Sequence, residues 1–251
     1  MHPIPEDLAP FYRGGYQPIP RNLSELREIA STEKYRLDPI LRQKSSGKLL
    51  EIGPWIGIFA CNAKDAGFDV TAIEIDQTCV DFLNTTVGIN AIQSADPLAA
   101  MDRMTDSFDV ITLWHSLEHL RDPWLVLQSA ARRLAPGGIL LIAIPNIESY
   151  EFSVLKRAWR HLDAPRHIYF YPAESLIAAC AENGLALQEI TTTDQLSLEL
   201  SIDAWRHRSA ALIRVKYLRG LVARMAFHLS TWKAKKYQNG SGITAVFQRR
   251  P

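Results

Sequence analysis

The segment Leu49-Leu50-Glu51-Ile52-Gly53-Pro54-Trp55-Ile56-Gly57 constrains this chain more than any other. It reads as a buried strand that breaks into a glycine turn and then opens a helix. A glycine turn lets the backbone approach a ligand closely, because no Cβ stands in the way. The helix behind it offers free backbone N–H groups. A second apolar segment, Val70-Thr71-Ala72-Ile73, ends in Glu74, 21 residues beyond Gly53. An acid at about that distance, on the tip of the next strand, accepts hydrogen bonds from a ribose diol. Both features place a nucleoside-type cofactor at the carboxyl edge of a parallel sheet.

The pattern along the chain supports such a sheet. Strands near 48–52, 70–75, 108–114 and 138–144 alternate with helical stretches near 57–66, 77–86 and 122–134. A weaker strand is expected near 89–93. Alternation of this kind gives a parallel sheet with helices on both faces. The run Ile139-Leu140-Leu141-Ile142-Ala143-Ile144 is apolar throughout, as a strand covered on both faces must be. Further on, Ser175–Asn183 reads as a helix ended by Gly184, and a helix near Ser24 has only a soft start. Leu185–Thr192 and Ile243–Arg249 read as two last strands that pair antiparallel.

The expected organisation has four parts. Residues 1–45 form an N-terminal extension or lid, and 46–194 the cofactor-binding core. Residues 195–240 form a basic helical insertion, and 241–251 supply the last strand. The chain has 251 residues and is 47% apolar, enough for one α/β domain with additions. A formal net charge of +1 gives no global pull toward nucleic acid. Cys61, Cys79 and Cys180 are scattered, with no spacing for zinc or a redox dithiol, and no metal site is read. A reduced, cytoplasmic setting fits. The first ten residues lack the apolar core of a signal peptide, and no run approaches the roughly 18 apolar residues of a membrane span.

The glycine turn itself narrows the cofactor. A dinucleotide site usually shows G-x-G-x-x-G. This turn is shorter and carries Glu51 two residues before its first glycine. No Gly-Lys-Ser/Thr is present, so a triphosphate cradle is not expected. The turn resembles the E/D-x-G-x-G-x-G turn of class I S-adenosylmethionine (SAM) methyltransferases, with Trp55 at the middle glycine. Phe108-Asp109-Val110-Ile111, followed by Leu117-Glu118-His119-Leu120-Arg121-Asp122-Pro123, resembles the family's fourth strand and loop. The ubiquinone-type O-methyltransferases have a similar L-E-H loop. Pro136-Gly137-Gly138 and Pro165-Arg166-His167 with Tyr169-Phe170 resemble later blocks. The resemblance covers roughly residues 48–192 plus the last strand.

That resemblance implies a Rossmann-like, doubly wound sheet of seven strands, mostly parallel, with an antiparallel last strand. It implies SAM as cofactor and S-adenosylhomocysteine as product. The candidate cofactor residues are Glu51, Gly53, Pro54, Trp55, Gly57, Glu74, Ile75, Asp96 and Trp114, with Asp96 facing the adenine amino group. Methyl transfer to a hydroxyl also needs a base, and histidine titrates near working pH. His115, at the end of the fourth strand, and His119, one helical turn later, are the catalytic candidates. Tyr12, Tyr16, Arg166 and His167 are candidates for the acceptor, which is expected to be a small molecule. A nicotinamide oxidoreductase and a non-catalytic SAM-binding protein are the competing readings.

The insertion stands apart in charge. From Ser201 to Gly240 it carries nine Lys/Arg against one acid, Asp203, so the rest of the chain is net negative. Leu212, Val215, Leu218, Val222, Met225, Leu229 and Trp232 recur at three- and four-residue steps, an amphipathic helical pattern. The plain expectation is a helix packed on the sheet domain with a solvated basic face. The sharper one is a patch for an anionic or lipid-linked substrate, with peripheral membrane attachment. Nucleic acid is not expected, because no recognised binding motif accompanies the charge.

Overall fold

A computed structural model describes Phe11 and residues 18–250. Tyr12 and Tyr16 lie outside the described residues. Seven strands form one sheet: β1 (Gly47–Ile52), β2 (Phe68–Glu74), β3 (Asn90–Gln93), β4 (Phe108–Trp114), β5 (Leu134–Pro145), β6 (Leu185–Thr191) and β7 (Gly242–Arg249). Their order is β3-β2-β1-β4-β5-β7-β6. β1 through β5 run parallel to one another, and β7 pairs antiparallel with both β5 and β6. β7 therefore lies inside the sheet, and β6 is the edge.

Side-chain alternation divides the sheet into two apolar layers. Leu49, Val70, Val110 and Leu141 face one layer with Phe59 and Leu83. Leu50, Ile73, Ile111 and Leu140 face the other with Val126 and Leu176. Burial on both faces explains the unbroken apolar runs of β1, β4 and β5.

The helices are α1 (Leu23–Ser31), α2 (Asp38–Leu41), α3 (Ile58–Asp65), α4 (Gln77–Phe82), α5 (Pro97–Asp102), α6 (Pro123–Arg133), α7 (Tyr150–Leu155), α8 (Ala173–Glu182), α9 (Gln195–Leu212) and α10 (Lys216–Tyr237). α1 starts more firmly than its sequence suggested. Asn22 is its N-cap and accepts from the Glu25 N–H at 3.0 Å. α1 and the turn after it bury Leu26, Ala30, Leu37 and Ile40 in the first layer. The described part of the N-terminal region is thus packed into the core.

The chain winds outward from β1 through β2 to β3, then returns to β4 on the other side. This reversal opens a crevice between the carboxyl ends of β1 and β4, where ligands bind in open α/β sheets. Glu51 of β1 lies level with Thr112 of β4 beneath that crevice.

The insertion differs from its expected form. It comprises two helices, α9 and α10, broken at 213–215. α9 packs Ala204 against Leu155 and Trp159, and the Trp205 indole N–H donates to Ser230 Oγ of α10 at 2.9 Å. Among the described side chains of α10, the buried ones are the small Ala223, Ser230 and Ala234. The amphipathic stripe lies outward: Leu218, Val222, Met225, Leu229 and Trp232 are all exposed.

Candidate active site

The glycine turn after β1 is held from both sides. The Gly53 N–H donates to Ile73 O at 2.9 Å, which fixes the turn to β2. Gly53 has φ +76°, in the left-handed region that suits glycine. A Cβ built there would meet Ser116 Cβ at 2.8 Å. The sequence reading gave that space to ligand; the fold gives it to the loop after β4. We therefore expect Gly53→Ala to destabilise the protein by roughly 1–3 kcal/mol from overpacking, plus a left-handed cost of about 1–2 kcal/mol. Denaturant unfolding checks this, and Ser116→Gly in the same chain should recover the packing part alone.

Trp55 also adopts a left-handed backbone, with φ +53°. Its N–H donates to Glu74 Oε2 at 2.9 Å. Its half-buried indole packs against the first apolar layer. Glu74 Oε1 accepts from the Ile75 and Asp76 N–H groups at 2.9 and 3.0 Å. Burial pushes the Glu74 carboxyl above its ordinary range, against the pull of these three donors. Glu74 thus locks the turn and the β2 tip together at the edge of the crevice. Asp96 caps α5, accepting from the Ala99 N–H at 3.1 Å.

Beneath the turn, Glu51 is buried and its Oε2 has no hydrogen-bond partner. Burial lifts its carboxyl to about 8, while Arg36 pulls it down. Arg36 was not legible as a site residue. It lies in the 34–37 turn after α1, pairs with Glu33 at 2.8 Å, and stacks over the Trp114 ring at 5.2 Å. Its Nε is buried without a partner. Nothing in the spacing of Lys34-Tyr35-Arg36 marks it; only the packing of Leu37 brings this turn to the crevice.

The loop after β4 carries the second half of the site. His115 leaves the strand with φ +51°, an unfavourable conformation for a residue with a Cβ. Its N–H is held by Ala143 O at 2.9 Å. Its Nδ1 lies 3.5 Å from Glu118 Oε1, and its Nε2 is buried without a hydrogen-bond partner. Glu118 is fully buried, and neither carboxylate oxygen has a hydrogen-bond partner. Burial pushes its carboxyl up, but His115, His119 and His167 outweigh this and hold it below the ordinary range.

The block after β5 folds onto this loop. Ile168 and Tyr169 N–H groups donate to Glu118 O at 2.9 and 3.3 Å. His119 Nδ1 faces Arg166 O at 3.0 Å, and His167 Nδ1 faces His161 O at 2.6 Å. A carbonyl only accepts, so each Nδ1 carries a proton and each Nε2 is left as the acceptor. The His119 and His167 rings meet edge to face at 4.6 Å. Burial holds the His167 imidazole below its usual range. His161, buried and stacked against His115 at 6.3 Å between ring centres, joins the cluster. Arg166 is turned to Asp163 at 2.6 Å. The fold thus brings His115, His119 and His167 around Glu118, with His161 stacked on His115 and Arg166 O holding His119, while Arg36 lies apart, over Trp114. Glu118 stands in the Leu-Glu-His run that carries the resemblance, but nothing in that run marks the acid as a site residue; its burial among the histidines does. Glu118, His119 and His167 also form a donor set, with one ligand atom of each within 4.8 Å of the others, that no spacing in the sequence revealed.

The sheet order, the glycine turn at its switch point and the acid on the next strand define a Rossmann-like SAM-dependent methyltransferase. A family model for the methyltransferase domain matches residues 23–190, and the chain belongs to that family. A relative named ubiquinone biosynthesis O-methyltransferase, from Xanthomonas oryzae pv. oryzae, is 28% identical over 190 residues. That match covers 69% of this chain and 75% of the relative. A SAM-dependent methyltransferase from Archaeoglobus fulgidus shares the fold with a TM-score of 0.60 at 17% identity, over 88% of this chain and 94% of that one. A putative sarcosine dimethylglycine methyltransferase from Galdieria sulphuraria does so with a TM-score of 0.58 at 15% identity, over 89% and 88%. The Glu51 oxygen under the turn, buried without a hydrogen-bond partner, fits the ammonium of SAM's methionine end, because a cation beside it would offset the burial that disfavours its carboxylate.

Proposed function

We propose that the chain methylates a hydroxyl of a small molecule, with His115 as general base. The observation that carries this is the pairing of His115 Nδ1 with the buried Glu118 carboxylate, which leaves Nε2 buried without a hydrogen-bond partner. A carboxylate behind Nδ1 fixes the ring and stabilises the imidazolium that forms when Nε2 takes a proton. Bound in the crevice, SAM supplies an electrophilic methyl group on its sulfonium. The chain's own residues bind and align. Gly53, Pro54, Trp55 and Gly57 form the turn that the cofactor lies on. Glu74 and Ile75 hold the ribose, and Asp96 the adenine amino group. Glu51 takes the ammonium, with Arg36 and Trp114 closing the methionine end. Arg166 and His167 line the acceptor side. Alignment of acceptor and methyl supplies several kcal/mol of the barrier reduction. The hydroxyl acceptor draws support from the relative's name, and a lipid-linked or anionic acceptor from the charge of the insertion. A cytoplasmic enzyme at the membrane periphery fits both. No helix among the described residues is long and apolar enough to cross a membrane.

Glu51 gives a test of the cofactor's orientation. At pH 7, below about 8, its carboxyl holds a proton in the free protein. An ammonium beside it favours the carboxylate, so SAM binding should release about one proton. Calorimetry in buffers of different ionisation enthalpy reads this release, and Glu51→Gln should abolish it. Because the folded-state pKa is raised, the free protein should also lose stability as pH rises from about 4.5 toward about 8.

A second reading rests on the donor set of Glu118, His119 and His167. Carbonyls hold both Nδ1–H groups, and the His167 Nε2 lies 4.0 Å from Glu118 Oε1, an arrangement of the kind that orients metal-bound imidazoles. A divalent ion there would bind the acceptor oxygen and lower its pKa. Turnover would then vanish with a chelator and return with added metal. The histidine-base reading expects no change.

A further inference from the structure

The exposed stripe of α10 is the feature the reaction does not use. Leu218, Val222, Met225, Leu229 and Trp232 follow one another at steps of four, three, four and three, so they share one helical face. Their exposures run from 43% at Val222 to 64% at Met225. The stripe continues at the α9–α10 corner, where Val215 and Tyr217 are 57% and 81% exposed. The opposite face is the one that packs, through Ala223, Ser230 and Ala234. A five-residue apolar row that stays exposed, with the Lys236 ammonium over its last ring, Trp232, at 5.0 Å, is a surface built for contact.

The charges select the occupant. Arg224 and Lys235 are exposed on one flank of the row, and Lys233 lies on the other, over the Tyr150 ring at 4.0 Å. α10 contains no Asp or Glu. A second copy of the chain seated on this row would set these cations against their own kind, with no acid on either helix to answer them. An anionic bilayer answers all of them. Its headgroups meet the flanking cations and its acyl boundary takes the apolar row, the geometry of a helix lying in the interface plane. We infer that α10 docks the protein on an anionic membrane surface, with the α9–α10 corner at the interface. The inference concerns the insertion and holds whichever acceptor is methylated.

Flotation of the full chain with vesicles tests it. Vesicles of phosphatidylcholine with phosphatidylglycerol should carry the protein, and phosphatidylcholine alone should not. Arg224→Gln with Lys235→Gln should weaken binding by about 25-fold, or about fivefold per charge removed. Raising the salt should do the same, since exposed charges are screened. Met225→Asp with Leu229→Asp should abolish binding while leaving the circular dichroism and the SAM affinity unchanged, because both side chains are exposed. Sedimentation velocity of the same variants excludes or establishes the alternative occupant. Equal binding to neutral and anionic vesicles, no binding to either, or a dimer that Met225→Asp dissolves would each overturn the inference.

Discussion

His115→Asn is expected to lower single-turnover methyl transfer by about 10²–10⁴-fold, the usual loss when a general base is removed. SAM affinity should stay close to that of the wild type, since the proposed cofactor contacts are the turn, Glu51 and Glu74, and His115 is not among them. The pH profile makes the assignment. A base acts only when deprotonated, so the wild-type rate falls on the acid side, and His115→Asn should lose that limb. Glu118→Ala should lower the rate but keep the limb, because it disorients the base without removing it. His119→Asn should also keep the limb, since the proposal gives the proton transfer to His115 and leaves His119 to brace the loop through Arg166 O. Near-wild-type turnover in His115→Asn would end the histidine reading and leave alignment alone as the source of catalysis.

Glu74→Ala should weaken SAM binding by tenfold or more, because a charge-assisted hydrogen bond contributes about 1.5–3 kcal/mol. The structure adds a cost that the sequence reading did not contain. The Trp55, Ile75 and Asp76 N–H groups all lose their acceptor. An unsatisfied buried donor costs about 1–3 kcal/mol and these half-buried ones less, so unfolding should come at lower denaturant. Glu74→Gln keeps one acceptor oxygen and should recover part of both losses. Unchanged affinity in a folded Glu74→Ala protein, read by calorimetry, would remove Glu74 from the cofactor site.

What could be read from the sequence was local. Strands buried on both faces need continuous apolar runs, so β1, β4 and β5 announced themselves. The glycine turn and the acid on the next strand are set by a spacing within one β-turn-α-β unit, and spacing is written in the chain. The helix start at Asn22 was legible in principle, with Glu25 three residues on, yet Ser24 drew the reading instead. α5 was missed because Pro97–Asp102 is too short to show a period.

Tertiary structure decided what depends on distant segments. That Ser116 occupies the space beside Gly53, and that Arg36 reaches Trp114, follows from packing between elements many residues apart. So does the gathering of three histidines about Glu118, which the Ile168 and Tyr169 hydrogen bonds enforce. The α10 stripe shows the division most sharply. Its period fixed a helix with one apolar face, but a period cannot say which face packs. The small residues opposite let α9 approach closely and took the core-facing role, and the row of Leu, Val, Met and Trp was left outward. Periodicity fixes which residues share a face, and only the neighbouring surface fixes where that face points.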